Sequence, residues 1–144
     1  MLYKEIRKSS QRVTWSYVDT NSQGQASLAS VTDACVDYEG SMTISEDLME
    51  LAGIVSPEEL RVGNMANGKR FETYVIPGER DLGQVVLNGA TDHLGKPGDR
   101  LTLITFANVL NEVARQSIPN VVILGKNNEV LDSRGPLTTR TTGT

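Results

Sequence analysis

The stretch Asn67-Gly68-Lys69-Arg70-Phe71-Glu72-Thr73-Tyr74-Val75-Ile76-Pro77-Gly78 predicts the central hairpin of the fold. Asn67-Gly68 favours a type I′ turn, because that turn needs positive φ at both of its central residues. In the strand that follows, Lys69 to Ile76, residues alternate with the period of two that is typical of a half-buried strand. Pro77-Gly78 ends this strand. The stretch therefore predicts two strands joined by a tight turn.

Outside this hairpin the chain reads as short strands separated by turns. Further strands are predicted over residues 12–18, 84–88, 101–107 and 121–124. Ser45 to Gly53 has the N-cap, acidic first turn and C-terminal glycine of a short helix, and Pro57 to Leu60 predicts another helical turn. Pro97-Gly98-Asp99 predicts a turn. This pattern indicates a mainly β fold, a small β-barrel.

Two segments are predicted to be irregular. Residues 19–30 are small, polar and aperiodic, so they predict a loop, which is longer than most ordered connections. Residues 131–144 offer little to bury and predict a mobile tail. The whole chain of 144 residues suits one domain, because this length buries about 70% of the surface of the unfolded chain.

The composition argues against several classes of protein. The net charge is −4 and the positive charges are scattered, so a nucleic-acid-binding face is not expected. No apolar run reaches the ~20 residues of a membrane span, and no secretory segment begins the chain. The single cysteine, Cys35, excludes an internal disulfide and predicts a buried or half-buried packing residue. One His and one Cys give no zinc pattern. We expect a cytoplasmic protein.

The dipeptide Gly40-Ser41 occurs once in the chain and is a candidate self-processing site. A serine hydroxyl can attack the preceding glycine carbonyl and convert the peptide bond into an ester. Beta-elimination then breaks the chain and leaves a pyruvoyl group at the new N-terminus. Such a group condenses with amines and acts as an electron sink. The alternative interpretation is a turn that leads into a strand.

Alternation along the hairpin strand places Arg70, Glu72 and Tyr74 on one face and Thr73 on the other. An arginine can grip a carboxylate with two parallel hydrogen bonds, and a phenol can donate a proton. The alternative is an exposed Arg–Glu pair on a surface strand. Asn88 ends a strand and presents an amide that can stabilise an oxyanion, or it simply forms a turn.

Three stretches together resemble the aspartate 1-decarboxylases, pyruvoyl enzymes that make β-alanine for pantothenate synthesis. They are Tyr38-Glu39-Gly40-Ser41 with Thr43-Ile44 and Asp47-Leu48-Met49, then Asn67 to Arg80, then Leu87-Asn88-Gly89-Ala90 with His93 and Pro97-Gly98-Asp99. Their order and spacing match the family without a gap from Tyr38 to about Phe106. The loop predicted over residues 19–30 falls where the family runs straight on, so the resemblance implies that this segment is an insertion. The resemblance implies a six-stranded double-psi β-barrel, a homotetramer, and a covalent pyruvoyl cofactor made from Ser41.

The resemblance also implies how the chain matures. Cleavage between Gly40 and Ser41 divides it into a chain of residues 1–40 and a chain of residues 41–144. Thr73 matches a residue that polarises the glycine carbonyl during cleavage. Because alternation turns Thr73 away from Tyr74, that role needs a bulge, a twist or a neighbouring subunit. Whether a partner protein assists maturation is left open.

For the substrate, L-aspartate, the resemblance implies a carboxylate-binding arginine at Arg70 and a proton donor at Tyr74. The other matched positions of the active site are Tyr38, Asn88, Gly89 and Ala90. The family also carries a lysine near its N-terminus, three residues before an arginine, that pairs with a substrate carboxylate. With Arg12 as that arginine the position is Ser9, and Lys8, one residue away, is the candidate that a bulge or gap would restore.

This departure leaves three hypotheses open. The chain decarboxylates L-aspartate, or it applies the same chemistry to a related acidic amino acid, or it is a non-processing barrel that acts as a binding module. A hydrolase built on Ser41, His93 and a carboxylate is a further alternative. The G-x-S-x-G elbow that would support a hydrolase is absent around Ser41.

Overall fold

The computed structural model describes residues 2–6, 13–36 and 41–136, with backbone alone for 2–6 and 13–21. Its ten strands are β1 (Leu2–Ile6), β2 (Val13–Ser30), β3 (Asp33–Cys35), β4 (Ser41–Ser45), β5 (Glu59–Asn64), β6 (Arg70–Gly78), β7 (Val85–Asn88), β8 (Arg100–Leu110), β9 (Asn120–Leu124) and β10 (Val130–Arg134). The helices are α1 (Glu46–Ala52), α2 (Asn111–Ala114) and two 3-10 helices, Gly89–Leu94 and Lys126–Asn128. The protein is mainly β with short helices, as predicted.

The strands form one continuous path in the order β10-β9-β2-β8-β5-β6-β4-β7-β3, and β1 pairs with β2. Most pairs are antiparallel, whereas β2–β9, β3–β7 and β4–β6 are parallel. The described strands outnumber the six of the barrel that the resemblance implies. The sheet brings β4 between β6 and β7, and this places Ser41 beside two of the predicted site strands.

The prediction of a loop over residues 19–30 is wrong, because these residues continue β2, a strand of 18 residues. Their partners are β8, from the pair Val18–Leu110 to the pair Ser30–Arg100, and β9. The small residues that suggested a loop serve close packing instead. At Gly24 a Cβ atom would collide with the carbonyl oxygen of Ala52 at the end of α1, and Ala29 is fully buried.

The prediction that a mobile tail begins at residue 131 is also wrong for the first residues of that segment. Residues up to Arg134 belong to β10, which pairs antiparallel with β9. Most side chains of this strand are exposed, so it is held mainly by backbone hydrogen bonds to β9. Amino-acid composition does not reveal such hydrogen bonds, and for this reason the strand was not predicted. Residues 137–144 lie outside the described part of the chain.

Two local predictions near the hairpin are corrected in detail. The hairpin between β5 and β6 is confirmed, but its loop is longer than a type I′ turn. Asn64 donates its N–H to the Lys69 carbonyl across the loop, and of the two central residues only Gly68 has positive φ, at 73°. The helical turn predicted at Pro57 to Leu60 is absent, because Glu59 already begins β5 and pairs with Tyr74.

The cysteine prediction is wrong as well, because Cys35 is exposed. It lies at the end of β3, the last strand of the sheet path, which pairs along one side with β7. The apolar neighbours of Cys35 in the sequence, Ala34 and Val36, therefore do not mean that Cys35 is buried. A strand at the end of a sheet has only one flank covered by the ladder.

The core is built from residues that alternate with the site residues. Met42, Val75 and Leu87 lie on three adjacent strands and are fully buried. The pairs Met42–Val75 and Met42–Leu87 place them abreast on one face of the sheet. Since neighbouring strand residues point to opposite faces, the residues next to them project from the other face. This is how burial of the core positions Ser41 and Asn88.

A buried polar pair, Asn64 and Asp99, connects the hairpin loop to the turn before β8 by hydrogen bonds. Asn64 donates from Nδ2 to Asp99 Oδ2 at 2.9 Å and to the Leu94 carbonyl at 3.1 Å. The Lys96 N–H and ammonium also donate to the Asp99 carboxylate, each at 3.1 Å. The predicted turn is confirmed: Gly98 has φ of 91°, and Asp99 donates its N–H to the Lys96 carbonyl. The hydrogen bond from Asn64, followed by those from Lys96, lowers the pKa of Asp99.

We expect Asp99→Asn to reduce the dependence of stability on acid pH. The folded-state pKa of Asp99 lies below the unfolded value of about 3.9, so its contribution is complete above that value and is lost as pH falls through the folded pKa. The free energy of unfolding, measured with urea at pH 7 and pH 3, should therefore fall less in the variant than in the native chain. Asp132→Asn, on exposed β10, is the control and should fall as the native chain does. Equal losses in all three proteins would contradict the prediction.

Candidate active site

The site begins with a row of residues that stand abreast on adjacent strands. Ser41 of β4 pairs with Asn88 of β7, and Asn88 pairs in turn with Cys35 of β3. The β4–β6 register, extended by one residue beyond the pair Met42–Val75, places Tyr74 on the other side of Ser41. Ser41 is 1% exposed and Asn88 is 4% exposed. The serine hydroxyl is therefore held away from bulk water.

The Asn88 amide donates a hydrogen bond to the serine hydroxyl in this row. Its Nδ2 donates to Ser41 Oγ at 3.3 Å and to Thr43 Oγ1 at 2.9 Å. An amide nitrogen has two N–H groups, so each acceptor can take one. Asn88, predicted as an oxyanion donor, thus has its amide directed at the residue that would be processed.

Thr91 ties the end of β7 to the same residue. Its Oγ1 donates to the Asn88 carbonyl at 2.7 Å and lies 3.4 Å from the Ser41 carbonyl oxygen. Gly89 has φ of 56°, in the left-handed region that favours glycine, and this bend starts the 3-10 helix that carries Thr91. Gly89 is buried, whereas Ala90 beside it is exposed.

Thr43 and Thr91 were not predicted as site residues. A signal existed for each. Thr43 follows Ser41 by two residues, so it shares its strand face, and Thr91 follows Asn88 by three, the spacing at which a threonine hydroxyl bonds back to a carbonyl.

The face of β6 is exposed, as alternation predicted for Arg70, Glu72 and Tyr74. A cleft of about 580 Å³ lies beside its first half. Arg61 lines this cleft, forms an ion pair with Glu72 at 3.5 Å and stacks on the Phe106 ring at 4.7 Å. Arg70 lines it too, and its guanidinium has no hydrogen bond or ion pair with any residue that the structure describes. Of the two arginines that line this cleft, Arg70 is therefore the one without a partner among the described residues.

The structure separates Arg70 and Thr73 from the row around Ser41. Arg70 lies four residues along β6 from Tyr74, a distance of about 13 Å. Thr73 pairs with Leu60 in a regular register without a bulge, so it faces away from Tyr74. His93 is exposed, and its backbone carbonyl accepts a hydrogen bond from Lys69. Lys8, Tyr38 and Gly40 lie outside the described residues.

Comparison with known proteins decides the family. Residues 20–131 match the family model described as Aspartate decarboxylase. The chain belongs to the aspartate decarboxylase family. The match includes the segment predicted as an insertion, residues 20–30, and it begins after Lys8. It thus covers most of the described part of the chain.

Several relatives in the aspartate decarboxylase family are similar over most of both chains. A protein of Heliobacterium modesticaldum is 47% identical over 103 residues, which are 72% of this chain and 78% of the relative. One from Bacillus pumilus is 42% identical over 113 residues, 78% and 89% of the two chains. One from Clostridium beijerinckii is 42% identical over 108 residues, 75% and 87%. Each is named Aspartate 1-decarboxylase.

Groups of metal ligands and membrane-spanning helices are both absent from the described residues of this family member. No group of three or more His, Cys, Asp and Glu side chains in the described ranges is placed to hold a metal ion. None of the helices found there is both long enough and apolar enough to cross a membrane.

Proposed function

We propose that this chain decarboxylates L-aspartate to β-alanine and carbon dioxide, with a pyruvoyl group made from its own Ser41. The observation that carries the proposal is the buried Ser41 hydroxyl, aligned with the Asn88 amide at 3.3 Å. Membership of the aspartate decarboxylase family supports the substrate and the reaction. The burial of Ser41 also supports the proposal, because the pyruvoyl group formed from it is reactive and must be shielded from bulk water.

The maturation step uses atoms of residues 40 and 41 together with one water molecule. Ser41 Oγ attacks the Gly40 carbonyl carbon, and the C–N bond gives way to an ester C–O bond. Elimination then breaks the Ser41 Cβ–Oγ bond and leaves Oγ on the new Gly40 carboxylate. The remaining enamine at residue 41 takes up water and releases ammonia, so its Cα becomes a ketone carbon. No oxidant is needed, because elimination supplies the change in oxidation level.

The described residues fit a keto amide at position 41. Asn88 presents its amide on the side-chain flank of this residue, and the Thr91 hydroxyl lies 3.4 Å from its carbonyl oxygen. Asn88 is buried and hydrogen-bonded to Thr43, so its amide is oriented before a ligand arrives, whereas the single Thr91 hydroxyl proton is donated to the Asn88 carbonyl. The pyruvoyl group supplies an electrophilic carbonyl that takes up the electron pair left when carbon dioxide departs.

The other residues bind the substrate and move a proton. Arg70 lines its cleft without a hydrogen bond or ion pair to any described residue, and its guanidinium suits a substrate carboxylate. Because Arg70 lies about 13 Å along β6 from Tyr74, we propose that it reaches this carboxylate from a neighbouring subunit of the homotetramer. Tyr74 is 39% exposed beside Ser41, so its phenol can return a proton to carbon from the open side of the row. Lys8 is proposed for a second carboxylate and Thr73 for carbonyl polarisation during cleavage. The lining residues proposed with them are Tyr38, Gly89 and Ala90.

The proposal extends to assembly and setting. A homotetramer follows from the family resemblance, and light scattering of the purified protein measures it. We place the enzyme in the cytoplasm, where β-alanine would supply pantothenate and coenzyme A synthesis.

Intact-mass analysis of the purified, warmed protein tests the proposal. We expect two fragments, one ending at Gly40 and one beginning with a pyruvoyl group at position 41. Carbon dioxide release should then be fastest with L-aspartate in a panel of amino acids. An uncut chain would overturn the pyruvoyl mechanism, and preference for another acidic amino acid would overturn the substrate assignment alone.

A further inference from the structure

We propose that Thr43 is a positioning residue that fixes the Asn88 amide toward position 41 before and after maturation. This inference rests on the proposed function for its catalytic consequence. Thr43 itself touches neither the bond that is cleaved nor, in the proposal, the substrate. It acts through Asn88.

The distances identify Thr43 as the firmer anchor of the amide. Asn88 Nδ2 is 2.9 Å from Thr43 Oγ1 and 3.3 Å from Ser41 Oγ. The shorter separation lies at the most frequent distance for an N–H···O hydrogen bond, and the longer one lies beyond the usual range. The hydroxyl of Thr43 therefore determines the rotation of the amide more strongly than the serine does.

Maturation makes this difference decisive. In the proposed chemistry Ser41 Oγ leaves with the Gly40 carboxylate, so Asn88 loses one of its two acceptors. Thr43 is not altered and keeps its hydrogen bond. The amide then stays fixed, and its second N–H becomes available for an oxygen acceptor of the mature site.

The Thr43 side chain is itself held in one orientation. Its methyl group, Cγ2, lies 2.9 Å from the point where a Cβ atom on Gly78 would stand. Gly78 thus leaves room for the methyl group, while Oγ1 points to Asn88. A β-branched side chain is stiff at χ1, and the hydrogen bond from Asn88 favours the rotamer that directs Oγ1 to the amide.

The kinetic test uses matched variants of the full-length chain. Thr43→Val keeps the shape and removes the hydroxyl, so we expect kcat to fall by about 10- to 100-fold with KM nearly unchanged. Thr43→Ser keeps the hydroxyl and should retain most of the rate. Thr105→Val is the control, because Thr105 Oγ1 is buried without a hydrogen-bond partner among the described residues. In Asn88→Ala, adding Thr43→Val should cost little more, because the two residues act as one unit.

A second measurement does not depend on activity. Ser41→Ala removes Oγ, as maturation does, and keeps the chain intact. In this background the rate at which the Asn88 side-chain amide exchanges its hydrogens with water can be measured by NMR. We expect this rate to rise at least about tenfold when Thr43→Val is added. Thr105→Val should leave that exchange unchanged.

The two measurements separate the inference from the proposed function. Unchanged amide exchange, or equal losses of rate in Thr43→Val and Thr105→Val, would overturn the role of Thr43 even in an active decarboxylase. Faster amide exchange in the Ser41→Ala background, together with a native chain that neither cleaves nor decarboxylates, would support the anchoring by Thr43 and overturn the proposed function.

Discussion

Ser41→Ala should leave the chain uncut and the protein without measurable decarboxylation. The alanine lacks Oγ, so the ester that precedes chain scission cannot form, and no electrophilic carbonyl arises. Mass spectrometry should give a single chain of 144 residues, and carbon dioxide release from L-aspartate should equal the background without protein. This is the largest effect that we expect from any single substitution.

The controls for this variant separate chemistry from folding. Ser41 is buried in β4, so circular dichroism and thermal unfolding must show that Ser41→Ala folds. Ser133→Ala, on β10, should be cut and active like the native chain. Turnover by folded Ser41→Ala would show that the reaction does not depend on residue 41.

Asn88→Ala should lower kcat by about 10²- to 10³-fold, the usual effect of losing one preorganised oxyanion donor. The residue directs its amide at Ser41 from a buried position, so no water can replace it at full strength. We expect KM to change much less than kcat, because the donor acts mainly on charge that develops during the reaction. Steady-state kinetics on fully cleaved protein measures both constants.

Asn67→Ala is a matched control for this prediction. Asn67 also donates an amide hydrogen bond, to the Leu94 carbonyl, but it is exposed in the hairpin loop. Its loss should affect stability slightly and leave kcat near the native value. Equal loss of kcat in both variants would contradict a specific role for Asn88.

The parts of the fold that local sequence determines were predicted well. The alternation of β6, the helix before Gly53 and the turn at Gly98 depend on neighbouring residues, and all three are confirmed. The strand over residues 19–30 was not predicted. Gly24 in this segment has to be small because it lies against Ala52, which is distant in sequence. Likewise β10 depends on hydrogen bonds to β9 that composition does not reveal.

The candidate site shows the same division. Residue chemistry and family resemblance pointed to Ser41 and Asn88, and the structure brings these two together. The spacing of Thr43 to Ser41 and of Thr91 to Asn88 acquires its meaning only with the register of β4 against β7, which joins residues more than forty positions apart. Arg70 lies four residues along β6 from Tyr74, so the two share a face of the strand but stand about 13 Å apart.

The position of β2 bears on how a cut protein would behave. This strand lies between β8 and β9 in the middle of the sheet path, and it belongs to the fragment that precedes the scission point. Neither piece would retain a complete set of neighbours by itself, so the nicked molecule should migrate as a single particle under native conditions. Once denatured, the two pieces would have to find each other again, and recovery would then depend on protein concentration, unlike the first folding of the unbroken chain.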